Sequence, residues 1–363
     1  MTPKKPLAKT LWKYGQWVLL IVFLWFVCKR GLTLWQQSDA SLEGVRWEII
    51  WTGCPVILIS WLTGAWFWRQ LILSHGERPP VVPTFCAHYA GQIGKYMPGK
   101  GMVLIIRASM LKPYGVPFAV SLATAVYETL LSMGAGLLLG LCLVPIVLPD
   151  LAVDKLAEDS LIRWFLNLVG AHPILLSLGI VALTFACLPL ISWLMNRVAS
   201  KMVKLPEKEE IDPVLPDDIE PTEQDMREVP AEIRREKVTT RDLATGIIVA
   251  VVGWVIQSMA LGIVLYSIGV ENITWSDSLF WTMSCMLATT VGFMAVFAPG
   301  GIGVREAIIV ECLRLDPSIN DQQAVSAALL LRVLMFVSDI LAGLVCSSVA
   351  RWYKKRHLVT SRS

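Results

Sequence analysis

The chain has 363 residues, of which 55% are hydrophobic and only 17% are charged, whereas soluble domains usually carry about 25% charged residues. The formal net charge of +3 is too small to indicate a nucleic-acid partner. Long uncharged stretches alternate with short charged ones. This pattern excludes an ordinary soluble domain and predicts an all-α, polytopic membrane bundle.

Six stretches are apolar for about the 20 residues that a helix needs to cross a bilayer. They are 12–28, 48–73, 116–148, 173–195, 243–268 and 324–350. The first stretch follows a basic start, as a signal peptide would, but Lys29 and Arg30 come after it in place of a small-residue cleavage site. We therefore interpret it as a retained first helix.

Two further apolar segments are interrupted by Pro-Gly, one within 84–110 and the other between 279 and 313. Proline breaks a helix and glycine lets the chain reverse direction. We expect each segment to form a broken, re-entrant hairpin that enters and leaves the membrane on one side. The alternative is that both segments cross, which gives eight full spans instead of six.

The composition changes between residues 200 and 242, where acidic residues, basic residues and prolines replace the apolar ones. Such a segment cannot bury enough apolar surface to become ordered, so we predict a disordered cytoplasmic linker. It separates a first membrane half, 1–199, with its break near 95–107, from a second half, 243–363, with its break near 298–306. A docking segment for a partner is the alternative interpretation.

Basic residues at both ends of the chain predict the orientation. The N-terminal tail has Lys4, Lys5, Lys9 and Lys13, and the C-terminal tail has Arg351, Lys354, Lys355, Arg356 and Arg362. The positive-inside rule places both termini in the cytoplasm, and we expect the bacterial inner cell membrane. Six crossings and two hairpins of opposite orientation would then form inverted repeats, which in secondary transporters carry the substrate site at the breaks.

The two breaks have similar sequences, QIGKYMPGKGMVLIIRA and VGFMAVFAPGGIGVREA. In each, a half-helix begins after Pro-Gly, and its free N–H groups and positive dipole end favour an anion. Charged residues at membrane depth are also usually functional. The predicted substrate-binding residues are Lys95, Tyr96, Pro98, Gly99, Lys100, Arg107, Glu128, Pro299, Gly300, Gly301, Gly303, Arg305, Glu306 and Arg332. Second-rank candidates are His88, Tyr89, Gln92 and Asp339.

The same residues also have structural explanations. The basic residues of the first break fit an ordinary cytoplasmic loop, and the second-rank residues fit hydrogen bonds between helices. Arg305 and Glu306 can form ion pairs that lock the fold, with Glu128 and Arg332 as the expected counterparts. Asp339 lies two turns after Arg332 and is another expected partner for it.

The sequence contains no motif for nucleotide binding, serine hydrolysis or a zinc protease. Eight cysteines occur without a CxxC pair. We therefore predict no catalytic residue, no metal site, no cofactor, no structural disulfide and no nucleic-acid partner, and we expect that the protein is not an enzyme. The sequence does not indicate an oligomeric state.

The segments GKYMPGK, followed by Arg107, and PGGIGVREA resemble the paired motifs of the lysylphosphatidylglycerol synthase transmembrane region. This is the flippase-like membrane domain of multiple peptide resistance factor, and the resemblance extends from about Trp12 to Ala350. It implies movement of an anionic or aminoacylated phospholipid between leaflets. We expect no aminoacyl-transferase domain. Glu128 is followed by Thr129 where the family often has Glu-Arg, so the resemblance does not identify the lipid.

Three functions remain open at this stage. The leading hypothesis is a lipid flippase or scramblase that binds an anionic or phosphate-bearing lipid between the two breaks. The second is a non-catalytic membrane subunit that scaffolds a glycosyltransferase or a lipid-modifying enzyme, with the polar linker as the docking segment. The third is a transporter for a small soluble anion, which an inverted repeat also permits.

Overall fold

The computed structural model describes residues 44–96, 101–147, 172–202, 238–270, 273–274, 277–295, 301 and 303–358. All regular structure in these ranges is helical, so the predicted fold class, a polytopic helical bundle, is confirmed. The first predicted span, 12–28, and linker residues 203–237 lie outside these ranges. So do five of the predicted site residues: Pro98, Gly99, Lys100, Pro299 and Gly300.

Ten α-helices lie in the described ranges. In chain order they are α1 (Trp47–Ile50), α2 (Gly53–Ser74), α3 (Val81–Gly91), α4 (Met102–Leu111), α5 (Phe118–Val147), α6 (Pro173–Met202), α7 (Thr240–Ser267), α8 (Ser278–Met294), α9 (Val304–Leu313) and α10 (Asp321–Leu358). Two 3-10 turns, Gln92–Tyr96 and Lys112–Tyr114, follow α3 and α4.

Five segments of the described chain are long and apolar enough to cross a membrane. They are Trp47–Ser74, Phe118–Val147, Pro173–Leu190, Thr240–Ser267 and Asp321–Lys354. They match five of the six predicted spans, because an apolar stretch in lipid must satisfy its backbone hydrogen bonds internally and does so as a helix.

Glycines on α7 let neighbouring helices approach closely, as small residues do in membrane bundles. A Cβ at Gly253 would collide with the Thr63 side chain of α2, and one at Gly262 would collide with the Trp281 ring of α8. Helix α7 therefore packs closely against both α2 and α8.

The two interrupted segments form helical hairpins. Helices α3 and α4 have 11 and 10 residues, which is about 15 Å each and half the thickness of the apolar bilayer core. They pack against each other, with Gly91 against Arg107 and Gly94 against Val103. Helices α8 and α9 pack in the same way, with Gly292 of α8 against Arg305 of α9.

Each hairpin packs against the long helix of the other half. Helix α3, from the first hairpin, contacts α10, and helix α8, from the second hairpin, contacts α5. The second helix of each hairpin also contacts the long helix that follows it in the chain: α4 contacts α5, and α9 contacts α10. This crossed arrangement brings the 3-10 turn after α3 beside α10, where the Ile93 side chain lies over Gly343.

Candidate functional site

The first charged cluster joins the first hairpin to α5. Arg107 Nη1 of α4 donates to Glu128 Oε2 of α5 over 2.6 Å, and the two side chains are only 4% and 8% exposed. A Cβ at Gly91 would lie 2.7 Å from Arg107 Cγ. The arginine therefore reaches its carboxylate only because α3 has a glycine where the side chain passes, and the result is a closed, neutral ion pair.

His88 lies beside this pair. Its Nε2 is 3.7 Å from Glu128 Oε1, which is too long for a hydrogen bond. Gly64 of α2 faces both groups, since a Cβ there would lie 3.0 Å from His88 Nε2 and 3.1 Å from Glu128 Oε1. The Trp68 ring lies 6.3 Å away and donates its indole N–H to Thr124 Oγ1. His88, Arg107 and Glu128 thus share one compact, buried location.

The second charged cluster joins the two halves through Asp339 of α10. Tyr96 donates its hydroxyl to Asp339 Oδ2 over 2.6 Å, and Lys95 Nζ lies 3.3 Å from Asp339 Oδ1. The Asp339 carboxylate is buried, so it needs such partners. Two aromatic contacts support the donors: Lys95 lies over the Trp61 ring, and the Tyr96 ring stands edge-on to Phe336.

Glu306 and Arg332 extend this cluster into the second hairpin. Arg332 Nε is 3.3 Å from Glu306 Oε1, and Glu306 Oε2 accepts a 2.6 Å hydrogen bond from the backbone N–H of Gly303. Gly303 has a φ of 86°, which a residue with a side chain rarely adopts. The Arg332 guanidinium also lies over the Tyr96 ring at 5.6 Å, so the two breaks meet around α10.

Arg305 is the charged residue of this cluster that has no carboxylate partner. Among the described residues, none brings a carboxylate within ion-pair distance of Arg305, and its buried Nε has no hydrogen-bond partner. The side chain crosses α8 at Gly292, where a Cβ would lie 2.5 Å from Arg305 Cγ. It lies within electrostatic range of Arg332, Glu306 and Asp339.

A cavity of about 20 Å³ opens beside these residues, which is room for one or two water molecules. Arg305, Glu306 and Arg332 line its polar side, and residues of α8, α9 and α10 such as Cys285, Ile309 and Leu331 line its apolar side. It is small, so a headgroup could enter only if the surrounding helices moved apart.

The predicted residues fall into two groups. The structure brings Lys95, Tyr96, Arg305, Glu306, Arg332 and Asp339 together, while Arg107, Glu128 and His88 form the separate cluster. Gly301 lies against Arg305, and Gly303 caps α9. Tyr89 donates to the Leu58 carbonyl and Gln92 is buried, as expected for residues that hold helices together.

Two of the expected ion-pair partners differ in the structure. Glu306 pairs with Arg332 as anticipated, but Glu128 pairs with Arg107 and not with Arg305. Asp339, anticipated as a partner of Arg332, accepts instead from Lys95 and Tyr96. These partners come from other helices, and helical spacing alone cannot specify which helices are neighbours.

Sequence analysis missed Gly91 and Gly292. Each lies beneath the arginine of its own hairpin, and each stands seven residues before the proline of its break. The matching distance to Pro98 and Pro299 was a usable signal, because small residues at a fixed spacing often mark close helix contacts.

One family model, described as the lysylphosphatidylglycerol synthase TM region, matches residues 14–343 of the chain. No curated protein matches the chain. The matched range includes both hairpins, all five described spanning segments in whole or in part, and every residue of the two charged clusters.

Proposed function

Because the chain belongs to the lysylphosphatidylglycerol synthase transmembrane-region family, a family of membrane proteins with a lipid-related function, we propose that it binds an anionic, phosphate-bearing lipid headgroup and moves that lipid between leaflets. The headgroup would bind at the cluster around Arg305, while the acyl chains stay in the bilayer. The protein would therefore act as a flippase or scramblase.

The charge of the second cluster is the observation that carries this proposal. In the part of the chain that the structure describes, the three cations Lys95, Arg305 and Arg332 lie together with two carboxylates, those of Glu306 and Asp339. A positive charge without a counter-ion is costly at membrane depth, so an anion would be stabilised there. A guanidinium binds phosphate oxygens through two parallel N–H groups, which suits Arg305 to a lipid phosphate.

The hairpins suggest how a headgroup could pass. We propose that both hairpins are re-entrant and that the two halves which contain them form an inverted repeat. The short lengths of α3, α4 and α9 support this proposal, as does the packing of each hairpin against the long helix of the other half, α10 or α5. The second cluster contains side chains from both halves, Lys95 from one and Arg305 from the other. A shift of one half against the other would change which of them the headgroup contacts.

We further propose that the protein is not an enzyme and that it lies in the bacterial inner membrane with both termini in the cytoplasm. The carboxylates of both clusters each face a basic side chain, Glu128 with Arg107, Asp339 with Lys95 and Glu306 with Arg332, instead of activating a nucleophile, which favours binding over catalysis. The basic residues at the C-terminal end of α10 support the orientation.

Lipid movement can be tested directly in proteoliposomes that contain a fluorescent anionic phospholipid. Loss of signal to a membrane-impermeant quencher reports the lipid that reaches the outer leaflet. We expect transfer by the wild type and its loss in Arg305→Ala. The matched control is Arg314→Ala, which removes an arginine just beyond α9 that pairs with Glu311 and Asp321 at the surface.

Transfer that is equal in Arg305→Ala and Arg314→Ala would exclude the second cluster as the headgroup site. A folded wild type that moves none of several anionic headgroups would exclude the flippase function. The scaffold function would then be preferred, and deletion of residues 207–236 should abolish the activity of a partner glycosyltransferase or lipid-modifying enzyme. Ser192 Oγ of α6 donates to the Val238 carbonyl, so Val238 lies beside α6 about 15 Å before the end of that helix at Met202. The linker residues that the deletion retains, 203–206 and 237, are long enough to span about this distance.

A further inference from the structure

His88 has no hydrogen-bond partner although it is almost completely buried. Only 2% of its surface is exposed, and neither Nδ1 nor Nε2 has a partner among the described residues. A neutral imidazole has one donor and one acceptor nitrogen, and leaving both unsatisfied in the interior costs free energy. A histidine kept only for packing would be served better by an apolar side chain.

The groups around His88 form a site with one charge of each sign. Helix α5 contributes Glu128, with Oε1 3.7 Å from His88 Nε2, and α4 contributes Arg107, which is bound to the other oxygen of the same carboxylate. On α2, the neutral Gly64 and Trp68 face the ring. Glu128 is therefore the one carboxylate next to His88 among the described residues.

The remaining ionisable groups near α3 have other partners. On α10, Cys346 is close to Cys86 and Asp339 binds Lys95 and Tyr96. On α3 itself, Tyr89 donates to a backbone carbonyl. Lys95, in the turn after α3, is a further cation and exerts only an electrostatic effect on His88.

We propose that His88 and Glu128 form a proton-binding site that couples lipid movement to the proton gradient across the membrane. A proton from the water on one side would bind the free lone pair of the imidazole. Both ring nitrogens would then be donors, and a small rotation would replace the 3.7 Å separation by a charge-assisted hydrogen bond to Glu128. The same proton would leave to the other side when the pair separates, so no other bond is made or broken.

The first hairpin can transmit this event to the headgroup cluster. Glu128 would share its charge between Arg107 and the imidazolium, which would weaken the ion pair that joins α4 to α5. His88 lies seven residues before Lys95, in the same hairpin, and Lys95 binds Asp339 in the second cluster. A displacement of α3 would therefore move the proton site and the headgroup site together.

This inference rests on the proposed function, and the proteoliposome assay tests it when a pH difference is imposed across the membrane. We expect the wild-type transfer rate to change by about fivefold or more, the lower end of typical couplings between sites. His88→Gln should abolish this response. His75→Gln, which removes a half-buried histidine at the end of α2, should respond as the wild type does.

A second measurement does not depend on transport. The chain has four histidines, so His75→Gln, His172→Gln and His357→Gln together leave His88 as the only one. In this triple variant, labelled at the histidine ring carbons, the NMR signal of His88 should shift as the pH is lowered through the range in which the protein stays folded. The triple variant retains His88, so the measurement does not require that His88→Gln can fold.

The outcomes separate the two proposals. A His88 signal that stays constant across that pH range would overturn the proton site, and so would a pH response that His88→Gln retains. A shifting signal in a protein that moves no lipid would support the proton site while refuting the flippase function. Transfer that ignores the imposed pH difference would refute coupling and leave the lipid function intact.

Discussion

The two hairpins have the same architecture but different electrostatics. In the first hairpin, Arg107 and Glu128 form a 2.6 Å pair that is almost fully buried. In the second, Glu306 and Arg332 are 3.3 Å apart and are 15% and 17% exposed. Arg305 lies beside them, next to a cavity, and has no carboxylate of its own in the part of the chain that the structure describes.

This difference indicates a division of roles. The short, buried pair of Arg107 and Glu128 joins α4 to α5. Removing either residue would leave an uncompensated charge in the interior, which is strongly destabilising. In the second hairpin the ion pair is looser, and Arg305 has no carboxylate at ion-pair distance among the described residues, which fits the anion site proposed above. We therefore expect mutations in the first hairpin to reduce stability and mutations in the second to reduce lipid binding.

The largest expected effect is on stability, from Glu128→Ala. The change leaves Arg107 buried without a counter-ion and should lower the free energy of unfolding by about 3–5 kcal/mol. The free energy of unfolding is measured on the detergent-solubilised protein, with the helical circular dichroism signal reporting the folded fraction. Glu306→Ala is the comparison and should cost less, since Arg332 is partly exposed. Equal losses in the two variants would contradict the division of roles.

The second largest effect is expected on the binding of anionic phospholipid, in the variant Arg305→Ala. Loss of a hydrogen bond to a charged group costs about 1.5–3 kcal/mol, so affinity for an anionic phospholipid should fall about 10-fold to 150-fold. Binding of a fluorescent anionic lipid to the solubilised protein measures this, with a neutral lipid as the background. The unfolding free energy should change little. A large loss of stability would show that Arg305 belongs to the structural core instead.

Replacing the glycine that contacts each hairpin arginine should give smaller effects, on the free energy of unfolding in one variant and on lipid affinity in the other. A Cβ would lie 2.7 Å from Arg107 Cγ in Gly91→Ala and 2.5 Å from Arg305 Cγ in Gly292→Ala, so the arginine must move in each, at about 1–3 kcal/mol. Gly91→Ala should lower mainly the unfolding free energy. Gly292→Ala should lower mainly lipid affinity. The same phenotype in both variants would show that the hairpins do not differ in role.

The smallest expected effect comes from Tyr96→Phe, which removes one of the hydrogen bonds to Asp339 between the halves. Asp339 keeps Lys95, so the unfolding free energy should fall by only about 1 kcal/mol. The control is Tyr114→Phe, because the buried Tyr114 hydroxyl has no hydrogen-bond partner among the described residues. That variant should be as stable as the wild type, and a loss equal to that of Tyr96→Phe would rule out a specific role for the Asp339 bond.

Much of the fold could be predicted because the relevant signals are local. The five described spanning segments coincide with predicted apolar stretches, and the two Pro-Gly motifs fall between short helices. The family was also recognised correctly from those motifs. The pairing of Glu306 with Arg332 followed from the small number of charges in the second half, but the partners of Glu128 and Asp339 did not.

The sequence by itself determined where the helices form, because a chain in lipid must close its backbone hydrogen bonds within each apolar segment, and the length of that segment shows whether it can span. Only the tertiary structure decided which charges meet. Lys95 and Tyr96 reach Asp339, more than 240 positions away, because α3 packs against α10. The tertiary structure also leaves Arg305 without a carboxylate at ion-pair distance among the described residues, and this distinguishes the proposed binding cluster from the buried pair of Arg107 and Glu128.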